Sequence, residues 1–264
     1  EIMPSLVGSE MCIRDRMKLA AIFAGLVSVF TFSSCLNDGD SGPNYDLYEI
    51  VTVEEGSIFG GTVLKGDAWG YTYTPVASSV LAGLKASDGS YYKRVQVGIK
   101  LMEGEAITEG KKSYKVSEVG LIAILNYKDF NVQADTLKNE YALVSLEDSN
   151  NKIWAINGYV NVPFTFKTKE QLSMNDFHLY AVEAKEDTLV TRLRQTKGAD
   201  DAYQTGGALI SFHMPFNDME FRDIFDQVVP KSDTIVVKVT AKGENDKELV
   251  STVKCSASNM QGSY

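Results

Sequence analysis

The chain has 264 residues, 44% of them apolar and 10% aromatic, and its 35 acidic against 26 basic side chains give a net charge of −9. An acidic chain lacks the Lys/Arg-rich face that phosphate backbones require, so no nucleic-acid partner is expected. Three cysteines, Cys12, Cys35 and Cys255, offer neither a disulfide framework nor a thiolate metal cluster.

Glu1 to Arg16 has no strand or helix period and precedes a plausible start at Met17. It resembles translated adapter sequence fused to the reading frame, the alternative being a genuine extension. Residues 17–34 read as a lipoprotein signal peptide, with Lys18 as the positive start and an apolar run from Leu19 to Phe32 that is short for a membrane span. Phe32-Ser33-Ser34-Cys35 resembles a lipobox, in which Cys35 becomes the first mature residue and carries the lipid. Leucine is commoner where Phe32 stands. An acylated Cys35 would hold the protein to a membrane, each buried methylene adding about 0.8 kcal/mol of affinity. Residues 35–47 then form a polar tether. Its Asp38 and Asp40 resemble the acidic stretch that sends some lipoproteins to the cell surface. The mature body, Cys35 to Tyr264, has 230 residues, enough for one large β domain or two small ones.

Along that body, alternation with a period of two predominates. Trp69, Tyr71 and Tyr73 are spaced by two, which places three rings on one strand face. They are either a ligand-binding surface for a sugar or peptide, or barrel packing. Thr74 to Leu84 is a helix or loop segment, and Asp88-Gly89 is a turn signal. Val95, Val97, Ile99 and Leu101 alternate with Arg94, Gln96, Gly98 and Lys100, a strand with one buried face. Gly104 to Ser113 departs from a phosphate-binding loop in both glycine spacing and its final residues, and reads as a hairpin loop. Val119 to Tyr127 is apolar on both faces, as in a fully covered strand. The polar run Glu147 to Lys152 marks a domain boundary, and Asn157-Gly158 is a second hairpin signal. In Tyr159 to Phe166 the apolar alternation includes Pro163, which predicts an edge strand or a bulge. Phe221, Ile224, Phe225 and Val228 share one helix face. Asn217 and Glu220 are placed for a capping box, Phe216 and Phe221 for a staple, and Pro230 for the stop. Ile235, Val237 and Val239 form a further strand, and Cys255 reads as a small strand residue.

These elements predict a mostly β chain. Residues 48–150 suit an OB-like small barrel, and residues 151–264 a β-sandwich with one short crossover helix. Four stretches carry a family resemblance: Ser33-Ser34-Cys35 with its acidic tether, Gly66-Asp67-Ala68-Trp69-Gly70-Tyr71-Thr72-Tyr73, Tyr159-Val160-Asn161-Val162-Pro163-Phe164, and Leu193-Arg194 before Asp200-Asp201. Together they resemble the NigD-like lipoproteins of Bacteroidetes. That resemblance implies an N-terminal OB-like domain, a C-terminal sandwich, and a role in bacteriocin immunity or as an envelope accessory. Gln195 stands where many members have histidine, so no family site is carried over there.

Catalytic signatures are not found. There is no G-x-S-x-G elbow, no HExxH and no calcium-loop pattern, so no catalytic residues and no cofactor are expected. His178 and His213 both point away from their apolar neighbours and could meet on one sheet surface, with Asp176 as a third ligand. Strand-face histidines more often hydrogen-bond, and no metal site is expected. The acid pairs Glu54-Glu55, Glu186-Asp187 and Asp200-Asp201 read as solvated charge. The expectation is therefore a non-enzymatic outer-membrane lipoprotein, facing the periplasm or the cell surface. It would be anchored by its lipid and would bind a protein, peptide or glycan. The alternative is a glycan-capture protein or glycan-active enzyme of a polysaccharide system.

Overall fold

The structure is a computed structural model that describes residues 44–56, 61–131, 139–147, 152–169, 172–198 and 204–261. The expected adapter and signal segments, Cys35, most of the tether, and Asp200-Asp201 lie outside them. Among the described residues no helix is long and apolar enough to cross a membrane.

Five strands form a closed barrel: β1 Leu47–Glu54, β2 Val63–Gly66, β3 Thr72–Pro75, β4 Arg94–Leu101 and β5 Ser113–Ile124. Their order is β1-β2-β3-β5-β4, with β4 returning to β1. Only β3 and β5 run parallel. A 3-10 helix, Ser78–Leu84, joins β3 to β4 and buries Leu81 and Leu84. This is OB-like topology, and alternation is its cause: Val51, Val53, Val95, Val97, Ile99, Tyr114 and Val116 all turn inward and are buried.

Among the described residues nine strands form the sandwich. They are β6 Asn126–Asp129, β7 Leu143–Ser145, β8 Trp154–Ile156, β9 Tyr159–Thr168, β10 Phe177–Lys185, β11 Thr188–Gln195, β12 Gln204–His213, β13 Thr234–Lys242 and β14 Glu248–Ser256. One sheet runs β10-β11-β13-β14; the other runs β6-β12-β9-β7, with β8 also on β9. Their inner faces enclose an apolar core in which the Phe164, Phe166 and Phe177 rings lie 4.8–6.1 Å apart. The helix Met219–Phe225 crosses from β12 in one sheet to β13 in the other.

Several local expectations need correction. Helix capping falls to Asp218, whose side chain accepts from Phe221 N at 3.1 Å, and not to an Asn217–Glu220 box. The Phe216–Phe221 contact does form, at 5.3 Å between centroids. Pro163 is neither at an edge nor in a bulge. On one side β9 pairs with β12 along its length; on the other, β8 meets Tyr159–Asn161 and β7 meets Thr165–Phe166. Pro163 occupies the gap between those two short partners, where no described strand needs its missing N–H. Val119 to Tyr127 is not covered on both faces: Leu121, Ile122, Ile124 and Tyr127 are exposed. Finally, β6 and β7 precede the polar run at 147–152 yet pair with β12 and β9, because a strand's sheet is set by its partners and not by the loop that follows it.

A single residue, Leu125, separates β5 from β6. It packs with Ile50 of β1, Leu209 of β12 and Trp154 of β8 in a small cluster between barrel and sandwich.

Candidate functional site

The barrel face around Trp69 is built on a buried carboxylate. Glu49 alternates with Tyr48 and Ile50 on β1, and its register partner is Val97, so it points into the barrel. It is 4% exposed. Such a group is costly unless hydrogen-bonded. Glu49 accepts from the Tyr73 hydroxyl, from Ala68 N at 2.7 Å and from Trp69 N at 3.4 Å. The carboxylate therefore clamps the β2–β3 turn from inside. A Cβ on Gly66 would stand 2.3 Å from Glu49 Oε1, so the clamp needs glycine there. Burial pushes the Glu49 carboxyl above its ordinary range, against the lowering effect of those hydrogen bonds. Burial and the Glu49 partner likewise push the Tyr73 phenol upward.

The three expected ring residues have three different environments. Tyr73 is fully buried in the barrel core. Tyr71 is half-buried, with its ring 6.3 Å from Tyr73 and 5.0 Å from Tyr114. Trp69 is 49% exposed and stacks on Tyr71 at 6.0 Å and 22°. Gly70, at φ +64°, turns the chain before β3 begins at Thr72. The rings thus form a ladder from core to solvent, not one row on a strand face. Lys112 Nζ lies 5.2 Å from the Tyr71 ring and donates to Trp69 O at 3.1 Å.

A second polar assembly joins barrel to sandwich. Arg94 of β4 is fully buried. Its guanidinium makes a two-pronged pair with Asp67, at 2.8 and 2.6 Å, and donates to Thr52 Oγ1 at 2.7 Å and Asn161 Oδ1 at 2.8 Å. It also lies 4.8 Å from the Tyr159 ring. Asp67 accepts a further bond from Trp154 Nε1 at 2.8 Å. Arg94 and Asp67 belong to the barrel, while Asn161, Tyr159 and Trp154 belong to the sandwich. Asp67 follows the Glu49-braced Gly66 and precedes Trp69, so the clasp and the ring ladder share one turn.

Beside that clasp lies a cleft of about 440 Å³ lined by Glu54, Glu55, Lys93, Asp129, Tyr159 and His213, among others. Its charges are engaged: Glu54 with Lys65 at 2.8 Å, Glu55 with Lys93 at 2.7 Å, and Asp129 with His213 Nδ1 at 2.9 Å. His178 lies on β10 of the other sheet, so the two histidines do not meet. Its imidazole is pushed down, first by burial and then by Lys128. No metal-holding group of three or more His, Cys, Asp or Glu occurs among the described residues. Glu186 and Asp187 share Lys231, at 3.6 and 3.2 Å. Gln195 is a structural tie, donating to Lys197 O at 2.7 Å and Lys167 O at 3.3 Å. Burial pushes the Cys255 thiol up to about 12.

Sequence reasoning missed Glu49, Arg94 and Asp67. Glu49 did leave a signal, a carboxylate on the apolar phase of Leu47, Val51 and Val53. Arg94 left none, because its partners stand 27 to 117 positions away.

The architecture is that of a two-part β protein, an OB-like barrel clasped to a sandwich. No family model matches the chain, and no curated protein matches it. Solved structures do share its fold. An uncharacterised protein from Parabacteroides merdae has a TM-score of 0.50 at 11% identity, covering 80% of this chain and 99% of that one. A protein described as a lipoprotein from Bacteroides fragilis scores 0.48 at 13% identity, covering 80% and 97%. A NigD-like immunity protein from Bacteroides caccae scores 0.42 at 14% identity, covering 83% and 99%. A solved structure that bears the name of the family the sequence resembles is thus among the neighbours. At these identities the likeness is one of fold.

Proposed function

We propose that this chain is a non-enzymatic, membrane-anchored envelope lipoprotein whose folded body is a binding module, with the Trp69–Tyr71 face as its ligand contact. The observation that carries the reading is the half-exposed Trp69 ring, stacked on Tyr71 and held from below by the buried Glu49 clamp. An exposed indole on a braced turn is a low-entropy contact surface. Tyr73 supports the ladder and does not touch a ligand. The net charge of −9 accords with a cationic protein or peptide, such as a bacteriocin against which the lipoprotein protects its cell. Capture on the lipoprotein from native cells, repeated with Trp69→Ala, tests this. Loss of a captured partner in the variant supports the face, and identical capture by both proteins removes it.

The stacked geometry also favours a second reading, glycan capture. A flat indole backed by a near-parallel ring presents the apolar surface on which sugar rings stack. A glycan array probed with wild type and Trp69→Ala separates the two. Hits that vanish in the variant favour glycans, and an empty array favours a protein or peptide. Placement at the outer membrane is part of the proposal. Protease accessibility on intact cells tells the cell surface from the periplasmic side.

A further inference from the structure

Phe212 and Val160 turn into the sandwich core, so their neighbours on β12 and β9 turn outward. These outward residues stand in rows of register partners with β6. One row is Tyr127, Ser211 and Asn161, of which Ser211 and Asn161 accept hydrogen bonds from Arg94 in the clasp. The next row is Asp129, His213 and Tyr159. It lies one step beyond the clasp and lines the cleft, to which the barrel contributes Glu54, Glu55 and Lys93.

Two polar groups of that row have no hydrogen-bond partner among the described residues. Tyr159 is 6% exposed. Its ring lies 4.8 Å from the Arg94 guanidinium and 5.0 Å from the His213 ring, while its hydroxyl is unpartnered. The hydroxyl is not sealed from solvent, and the cleft is the opening that Tyr159 lines. Burial pushes the phenol up to about 12, against the lowering effect of Arg94, so it keeps its proton at neutral pH. Buried polar groups are normally satisfied, so solvent or a ligand must meet this one. His213 engages Asp129 through Nδ1 at 2.9 Å, and its Nε2 is the second unpartnered group.

The charges of the cleft point to a neutral ligand. Glu54 lies 2.8 Å from Lys65 and Glu55 lies 2.7 Å from Lys93, so both carboxylates already have counterions. An ammonium or guanidinium group only donates, and an ionised carboxylate only accepts. A tyrosine hydroxyl does both, and so does the hydroxyl of a sugar. Acceptors at Asp129 and Glu55 beside donors at Tyr159 and Lys93 are the mixture that a polyol matches. Tyr127, 41% exposed, adds an aromatic face. At about 440 Å³ the cleft falls within the roughly 300–1,000 Å³ of small-ligand sites, which favour junctions between domains. We infer that this cleft binds a neutral saccharide unit, with the Tyr159 hydroxyl and the Asp129–His213 pair as its polar contacts. Trp69 is not among the lining residues, so this site is separate from the ring face and stands without it.

The test is an array of neutral glycans, acidic glycans and lysine- or arginine-tailed peptides, probed with the full chain and with Tyr159→Phe, Asp129→Ala and Trp69→Ala. Tyr159→Phe removes one oxygen and keeps the ring beside Arg94. The Asp129 side chain is 72% exposed, so Asp129→Ala leaves the core packing alone and decides the matter if Tyr159→Phe does not fold. The expected result is binding to a neutral glycan that weakens roughly tenfold in each cleft variant. An array without neutral hits overturns the proposal, and so does binding confined to acidic glycans or cationic peptides. Neutral hits kept at full strength by a folded Tyr159→Phe, or by Asp129→Ala, overturn the cleft as their site. Their loss in Trp69→Ala alone moves the sugar to the ring face.

Discussion

Between its two sheets the sandwich buries Phe164, Phe166, Phe177 and Phe212 against aliphatic neighbours, whereas the barrel encloses a carboxylate and two tyrosine hydroxyls beside its valines. The core between the sandwich sheets is apolar, and the buried polar side chains of the sandwich, such as Thr191, Gln195 and Ser211, are uncharged. The barrel breaks that pattern at Glu49, and the break lies directly beneath the exposed Trp69. Exceptions of this kind concentrate where a molecule holds a surface in shape for use. The comparison teaches that the sandwich is a platform, and that the barrel gives up some stability to fix one turn.

The largest effect is expected where the two bodies meet. Arg94→Met leaves Asp67 buried without its cation and should cost about 3–5 kcal/mol in denaturant unfolding. Trp69 reports on the barrel and Trp154 on the interface, so their fluorescence should no longer change in one transition. Adding Asp67→Asn should recover part of the loss. A cost below about 1 kcal/mol, the range of an exposed ion pair, would mean that the clasp does not join the bodies.

Within the barrel, Glu49→Ala removes the acceptor for Tyr73 and Ala68 and opens a cavity, which should cost about 2–3 kcal/mol. Near-ultraviolet circular dichroism should show a changed aromatic environment, because the turn beneath Trp69 loses its brace. A spectrum identical to wild type would separate Trp69 presentation from the clamp. In the sandwich, Asp218→Ala deletes one helix cap and should cost about 1 kcal/mol by equilibrium unfolding, without altering the Trp69 environment.

The pH response sharpens the contrast. Because the folded-state pKa of Glu49 is raised, the stability contributed by its neutral form is complete below the ordinary glutamate pKa. It is lost as pH rises through the raised value. Glu49→Gln should flatten that part of the Tm-against-pH curve. A wild-type Tm that does not fall over that window would show that the hydrogen bonds outweigh desolvation. The smallest stability effect is expected for Trp69→Ala, within about 0.5 kcal/mol, since half of the side chain is already in water. Its consequence should appear in ligand capture and not in unfolding.

Much of this architecture was legible as pattern. Alternation located β4, β9 and β13, the Asn157-Gly158 pair located a hairpin through its positive φ values of 54° and 77°, and the spacing of Phe221, Ile224 and Phe225 located the crossover helix. Of the candidate site, the ring spacing was visible and the support was not. Trp69, Tyr71 and Tyr73 look equivalent at a spacing of two, and only the turn at Gly70 and the closure of the barrel give them unequal burial.

By itself the sequence determined the mostly β character, the approximate places of strands, turns and helix, and the acidic charge. These depend on residues a few positions apart, whose backbone geometry decides which side chains share a face. Tertiary structure alone decided what covers each face. Arg94 and Asn161 sit on phases that periodicity leaves to solvent, yet both are buried because barrel and sandwich close over them. Leu121, Ile122 and Ile124 sit in the most apolar run and are left exposed because β3 ends its pairing at Val116. Period reports a face, but cover comes from segments far away in the chain, and no local pattern records which of them arrives.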